Sequence, residues 1–219
     1  MKIIFVRDFH VAKGDIRRLR KIIDAINKEE PDLVLSGGDY IKGHTKKNTL
    51  DINILAKELS TIKAPIITVL GNHDCLYGKE EVKRILEENG ITVLDNSNTK
   101  FENLYIAGVD DLKTGSPDIE KALAETQTPR ILLTHTPDIY YDIKENVDLI
   151  LAGHVHGGQV SFPLIGAPIV PSKYGSKFAG GFINETNNKM FITRGLGTSI
   201  LTVRFCSIPE IVVFTVNEQ

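Results

Sequence analysis

The sequence predicts an α/β fold, a layered domain in which two mixed sheets touch and helices lie outside them. Three observations predict it. The first part of the chain alternates short, β-branched apolar runs with segments of helical periodicity. From about Gly157 onward short strands predominate, with glycine and proline between them. Five of the buried runs end on a polar group in the same way.

The elements follow in order. Lys2–Val6 reads as a strand. Asp15 then caps a helix whose apolar face is Ile16, Leu19, Ile22, Ile23 and Ile26. Asp32–Leu35 is a second strand, Thr49–Ser60 a helix and Pro65–Leu70 a third strand. Lys79–Asn89 is a helix with Val82, Ile85 and Leu86 inward and Gly90 at its C-terminal stop. Ser116-Pro117-Asp118 opens another helix, with proline in the first turn and an acid at the positive end of the dipole. Arg130–Thr134 and Leu149–Leu151 are further buried strands. Gln159–Phe162, Gly181–Asn184, Met190–Thr193 and Ile211–Val216 are expected to form an antiparallel sheet joined to the αβ part.

Nothing along the 219 residues marks a linker or a repeat, so one domain spanning 1–219 is expected. The formal net charge of -2 carries no nucleic-acid signature. The two cysteines, Cys75 and Cys206, are too few for a disulfide framework and point to a reducing compartment. The run Lys2–Val6 is too short for a signal sequence, and no apolar run nears the ~20 residues of a membrane helix. A cytoplasmic protein is the expectation.

The five strand ends carry the chemistry. Ile3–Val6 runs into Asp8-Phe9-His10, and Leu33-Val34-Leu35 into Gly37-Gly38-Asp39. Ile66–Leu70 runs into Gly71-Asn72-His73-Asp74. Ile131-Leu132-Leu133 runs into His135, and Leu149-Ile150-Leu151 into Gly153-His154-Val155-His156. The carboxyl edge of an α/β sheet is where ligands bind. Five of the six histidines sit at these ends, and only His44 lies elsewhere, in a polar loop. Imidazole and carboxylate together suit Zn, Mn or Fe. Glycine before Asp39, Asn72 and His154 removes a Cβ where backbone must crowd a cation, and an extended His154-Val155-His156 sends both imidazoles to one side.

These five blocks, in order from residue 8 to 156, resemble the calcineurin-like metallophosphoesterase superfamily. The blocks Gly157-Gly158-Gln159-Val160, Lys173-Tyr174-Gly175, Arg194–Ser199 and Pro209-Glu210-Ile211 are similar to one bacterial branch of it. That branch includes membrane-associated phosphodiesterases and a type of UDP-2,3-diacylglucosamine pyrophosphatase. The chain departs from it at Arg7, where relatives carry Ser or Thr, and at Thr202, where proline is expected. The resemblance implies a four-layer α/β/β/α sandwich. It also implies two divalent metal ions, manganese first, zinc or iron next. One would take Asp8, His10, Asp39 and His156, the other Asp39, Asn72, His135 and His154, with Asp39 bridging. It implies attack by a metal-bridging hydroxide on a phosphodiester or pyrophosphate. His73 would protonate the leaving oxygen or stabilise the phosphoryl charge, and Asp74 would orient His73. The implied substrate is a phosphorylated small molecule or a lipid-linked nucleotide such as UDP-2,3-diacylglucosamine.

Softer features remain. Arg194 and Arg204 are candidate phosphate contacts or surface arginines. The proline-broken apolar segment from Phe162 to Pro171 lines a pocket for acyl chains, touches a membrane peripherally, or packs between the sheets. Cys75 reads as a buried small residue. A non-catalytic scaffold and an amide hydrolase are the competing functions. The complete ligand set argues against the scaffold, and the Asn72-His73-Asp74 block argues for phosphate.

Overall fold

The computed structural model describes residues 1–45, 47–199 and 201–216. Along the chain run β1 (Lys2–Val6), α1 (Ile16–Lys28), β2 (Leu33–Ser36), α2 (Ile52–Leu59), β3 (Ile66–Thr68) and α3 (Asn72–Glu88). Then come β4 (Thr92–Val93), β5 (Ser97–Phe101), β6 (Leu104–Gly108), α4 (Ile119–Leu123), β7 (Arg130–Leu133) and β8 (Leu149–Ala152). The last three strands are β9 (Gly181–Ile183), β10 (Met190–Ile192) and β11 (Val212–Thr215).

Among the described residues the strands form two mixed sheets. One has five strands in the order β11-β1-β2-β3-β4, the other six in the order β5-β6-β7-β8-β10-β9. Strands β1 to β4 are parallel, with β11 antiparallel at the edge. In the second sheet β6, β7, β8 and β10 are parallel, with β5 and β9 antiparallel at its two edges.

Alternation along the strands sorts side chains into three apolar layers. Ile3, Phe5, Leu33 and Leu35 face Ile106, Ile131, Leu133 and Leu151 between the sheets. Ile4, Val6 and Val34 point the other way, against Leu19, Ile23 and Ile26 of α1, Leu55 of α2 and Val82 and Leu86 of α3. Leu132, Ile150, Met190 and Ile192 meet Ala122 and Leu123 of α4 and the turn containing Tyr140. This is the four-layer arrangement that the resemblance implies.

Several elements differ from the sequence reading. The segment from Gly157 onward forms no sheet of its own: β9 and β10 extend the second sheet through β8, and β11 joins the first through β1. Parallel pairing of β10 with β8 needed tertiary information that periodicity lacks. Gln159–Phe162 is not a strand; Val160 makes only isolated bridges to Phe205 and Cys206. Helix α2 starts at Ile52 because Asp51, not Thr49, caps it, its carboxylate accepting from the Asn53 N–H at 2.8 Å. Helix α3 starts at Asn72, seven residues before the expected Lys79, and Gly78 (φ 151°) absorbs a kink within it. The Phe162–Pro171 segment is not core between the sheets, for Leu164, Ile165 and Ile169 are exposed. No helix among the described residues is long and apolar enough to cross a membrane.

Candidate metal centre

In-phase pairing brings the strand ends level. Val6 pairs with Ser36 and Ser36 with Thr68 in one sheet; Leu133 pairs with Leu151 in the other. Asp8, Asp39, Asn72, His135 and His154 therefore leave both sheets at one edge. Five of the expected ligands sit in the left-handed region: Asp8 (φ 51°), His10 (41°), Asp39 (56°), His154 (64°) and His156 (52°). Each such residue costs on the order of 1 kcal/mol. The local backbone is thus bent to aim side chains inward, and His154-Val155-His156 is not extended as the sequence suggested.

Ligating atoms converge in three groups, Asp8–His10–His156, His10–Asp39–His73 and Asp39–His135–His154, each within 4.8 Å of one another. Asp39 Oδ2 lies 3.5 Å from His10 Nε2 and 3.4 Å from His135 Nε2, between the outer groups. Asn72 Oδ1 lies 3.0 Å from His135 Nε2. All seven expected ligands meet here.

The tautomers are set from outside. His10 Nδ1 faces the Ile41 carbonyl at 3.1 Å and His135 Nδ1 faces that of Gly37 at 2.8 Å. Each ring donates there; neutral His10 therefore presents its Nε2 lone pair to the cluster, and His135, whose Nδ1 also lies 2.9 Å from Arg7 Nη2, does so once its second proton has left. His10 Nε2 then faces His156 Nε2 at 3.1 Å, and His135 Nε2 faces His154 Nδ1 at 3.1 Å. Two nitrogens about 2.1 Å from one cation and at right angles stand about 3 Å apart. Asp8 Oδ2 is buried without a hydrogen-bond partner. Converging lone pairs and an orphaned carboxylate oxygen fit divalent cations.

Electrostatics agree. Burial lowers His10 to about 3 and, helped by His135 and Lys113, lowers His154 to about 2, so both imidazoles are neutral at pH 7. Burial pushes the Asp8 carboxyl up, but Arg7 and His156 overcome it and hold the group at about 2. Burial likewise opposes ionisation of Asp39, yet the adjacent His135 and His10 keep it well below the usual range. Burial also opposes the charge on His135, but Asp39 raises it to about 9, so in the metal-free chain this ring is protonated at pH 7 and must release a proton for a cation to bind.

The supports are specific. Arg7, fully buried, places Nη2 2.9 Å from Asp8 Oδ1 and donates from Nη1 to the His135 carbonyl at 3.2 Å. Gly153 is required by this guanidinium rather than by a cation: a Cβ there would lie 1.8 Å from Arg7 Nη1. At Gly71 a Cβ would meet Asp39 Oδ1 at 2.1 Å, so that glycine clears a ligand. Asp74 does not orient His73. Its carboxylate accepts from the backbone N–H groups of Asp39 (2.8 Å), Tyr40 (2.9 Å), Ile41 (3.2 Å) and Gly71 (3.1 Å), tying the Asp39 loop to the start of α3. His73 is held instead by the Gly43 carbonyl, 2.9 Å from Nδ1, with Ser199 Oγ 3.4 Å from Nε2.

Arg204 is a brace: Nη1 donates to the carbonyls of His156 (3.3 Å) and Ser207 (3.0 Å), and Nε to that of Gly197 (2.8 Å). Arg194 lies outside the ligand groups and pairs with Glu210 at 3.1 Å. Burial pushes the Cys75 thiol up to about 12, which leaves it inert.

Two residues at the mouth escaped the sequence reading. The His44 ring packs 4.6 Å from that of His73, so the sixth histidine joins the other five. Lys113 Nζ lies 2.6 Å from His154 Nε2. A signal for Lys113 existed, since β6 also runs into acids, Asp110-Asp111, and the buried Asp111 carboxylate accepts from the Lys113 N–H at 3.0 Å.

Comparison with known proteins gives the same picture. The family model for calcineurin-like phosphoesterases matches residues 1–158. A metallophosphoesterase of Bacillus subtilis, YkuE, is 33% identical over 229 residues, covering 99% of this chain and 79% of its own length. Phosphodiesterase YaeI of Escherichia coli is 33% identical over 224 residues, covering 96% and 80%. In fold, the chain is similar to an archaeal phosphodiesterase (TM-score 0.53, 16% identity, 98% and 93% covered). It is also similar in fold to a dimetal phosphatase from Danio rerio (0.51, 13%, 89% and 87%). The chain belongs to the calcineurin-like phosphoesterase family and is a metal-dependent phosphoesterase.

Proposed function

We propose that the chain hydrolyses a phosphodiester or pyrophosphate at a dinuclear centre. Asp8, His10, Asp39 and His156 would hold one ion, and Asp39, Asn72, His135 and His154 the other. The observation that carries this is the placement of Asp39 Oδ2 between His10 Nε2 and His135 Nε2, at 3.5 and 3.4 Å. A pair of divalent cations supplies Lewis acidity toward phosphoryl oxygens and lowers the pKa of bound water. The chain's own residues do the rest. Asn72 adds an uncharged donor, which leaves the site positive enough for a phosphate. His73, only part-buried and braced at Nδ1 by Gly43, presents Nε2 toward the mouth, where it protonates or steadies the leaving oxygen. Asp74 keeps the loop that bears Asp39 in place for this chemistry. Lys113 is a second cation for the entering phosphate, better placed than Arg194, which Glu210 engages.

Manganese is the first proposed metal, zinc or iron the next. A lipid-linked nucleotide such as UDP-2,3-diacylglucosamine is the proposed finer substrate, supported by the exposed apolar segment 162–169 near the site. A smaller phosphodiester is the second reading, supported by the plain name of the YaeI relative. The test is hydrolysis of bis-p-nitrophenyl phosphate and of UDP-2,3-diacylglucosamine with added Mn²⁺, beside the same assay on His154→Ala. Metal-dependent cleavage that the variant lacks supports the reading. A folded, metal-loaded protein that cleaves neither compound contradicts it.

A further inference from the structure

The apolar segment past the metal centre forms a tight hairpin. Phe162 and Gly166 exchange both backbone hydrogen bonds, N to O at 2.9 and 2.8 Å, with Leu164 at φ 70°. That geometry throws Leu164 outward, fully exposed, with Ile165 80% and Ile169 77% exposed. A second exposed apolar strip, Leu201, Val203 and Phe205, lies beside it. The two are joined by Ser161 N–H to Phe205 O at 2.8 Å and by the Phe162 and Phe205 rings, whose centroids are 5.7 Å apart. The strip abuts the catalytic mouth: Gln159 donates to Leu201 O and accepts from the Ser199 N–H, and Ser199 Oγ reaches His73 Nε2 at 3.4 Å. Bulky aliphatics at a protruding tip gain nothing from water and mark a contact surface.

Charge selects the partner. Between residues 149 and 210 the chain has five basic side chains, Lys173, Lys177, Lys189, Arg194 and Arg204, against two acids, Glu185, which pairs with Lys177, and Glu210, which pairs with Arg194. The whole chain, by contrast, carries a formal -2. Lys173 follows the hairpin directly, and Lys113 Nζ lies 3.4 Å from the Pro171 carbonyl at its base. Across the mouth, the 41–50 loop that carries His44 has lysines and no acid. An apolar tip with Lys173 and Lys113 at its base suits an interface of acyl chains beneath anionic headgroups. It suits a protein hollow less well, because the feature is convex.

We propose that the 162–169 hairpin and the 201–205 strip dock this chain on an anionic lipid bilayer, with the mouth of the site turned toward the headgroups. The inference goes beyond the hydrolytic reading and is measured without turnover. Vesicles of phosphatidylglycerol and phosphatidylcholine in equal parts, and of phosphatidylcholine alone, are sedimented with the full chain. The variants are Leu164→Asp/Ile165→Asp, which touches no buried group, and Lys173→Glu. The wild type is expected to pellet with the anionic vesicles, less so at high salt. The double variant should lose at least about tenfold in partitioning, since two charges then enter the apolar interface. Lys173→Glu should bind more weakly to anionic vesicles only. Circular dichroism and thermal melting of both variants should match the wild type. Wild type that stays in the supernatant with anionic vesicles overturns the proposal, as does a double variant that pellets equally well. A double variant that turns a dimer into a monomer in light scattering, with unchanged vesicle binding, assigns the surface to a second copy and also overturns it.

Discussion

Arg7 takes a full charge into the interior, where burial lowers its pKa while Asp8 and Asp39 act to raise it. Removing one partner of a buried pair leaves the other charge uncompensated, at a cost of about 3–5 kcal/mol. Arg7→Met is therefore expected to destabilise the metal-free chain by that amount in urea unfolding. A loss below about 1 kcal/mol, the value of an exposed pair, would mean that Asp8 does not need the guanidinium. His73 belongs to the same scale. Its ring is braced by Gly43 and packs at a tilt against that of His44, and its proposed chemistry lies in proton transfer. His73→Gln should lower kcat by about 10²–10⁴ with metal content unchanged, checked by pairing steady-state kinetics with elemental analysis. Loss of bound metal in that variant would move His73 into the ligand set.

At the scale of elements, the junction of β2 and α3 sets the distance between the two halves of the centre. Asp74 in the first turn of α3 gathers four backbone N–H groups. Burial and Asp39 raise its carboxyl to about 7 while those donors pull it down. Asp74→Ala orphans the amides at about 1–3 kcal/mol each if they stay dry. The variant should bind metal more weakly and melt lower. Unchanged metal affinity would show that the Asp39 loop holds itself. This junction also shows how far the sequence could be read. The five strand ends were legible because each joins an apolar run to a polar block, a local pattern. The carboxylate's true partners were not, because hydrogen bonds to residues 39–41 are set by folding and carry no spacing signature. The pairing of β10 with β8 was hidden for the same reason, and β5, with Ser97-Asn98-Thr99-Lys100, lacks an apolar face to announce it. His44 looked like a loop residue until Thr49 Oγ1, donating to Lys42 O and Thr45 O, drew its loop over His73.

For the whole molecule, the buried histidines give the metal-free protein a defined pH response. His10 and His154 are lowered, to about 3 and about 2, and His156 is lowered too. Below the ordinary histidine value of about 6.5 the unfolded chain binds protons that the folded one refuses, so stability falls as pH drops. Asp74, raised to about 7, opposes this in part with one proton. His135 is raised to about 9, so its contribution is complete below 6.5 and is lost as pH rises toward 9. Melting of the metal-free chain should peak near pH 6.5 and decline on both sides. A melting temperature flat from pH 5 to 9 would show that these groups are solvated. The central claim is that seven side chains from both sheets meet to hold a pair of cations. Its most direct test is the metal content of the chain, equilibrated with Mn²⁺, desalted and measured by inductively coupled plasma mass spectrometry. The account predicts about two ions per chain, and about one in Asn72→Ala, which keeps only the site of Asp8, His10, Asp39 and His156 intact. No retained metal in a folded chain that still cleaves a phosphodiester in excess chelator would contradict it.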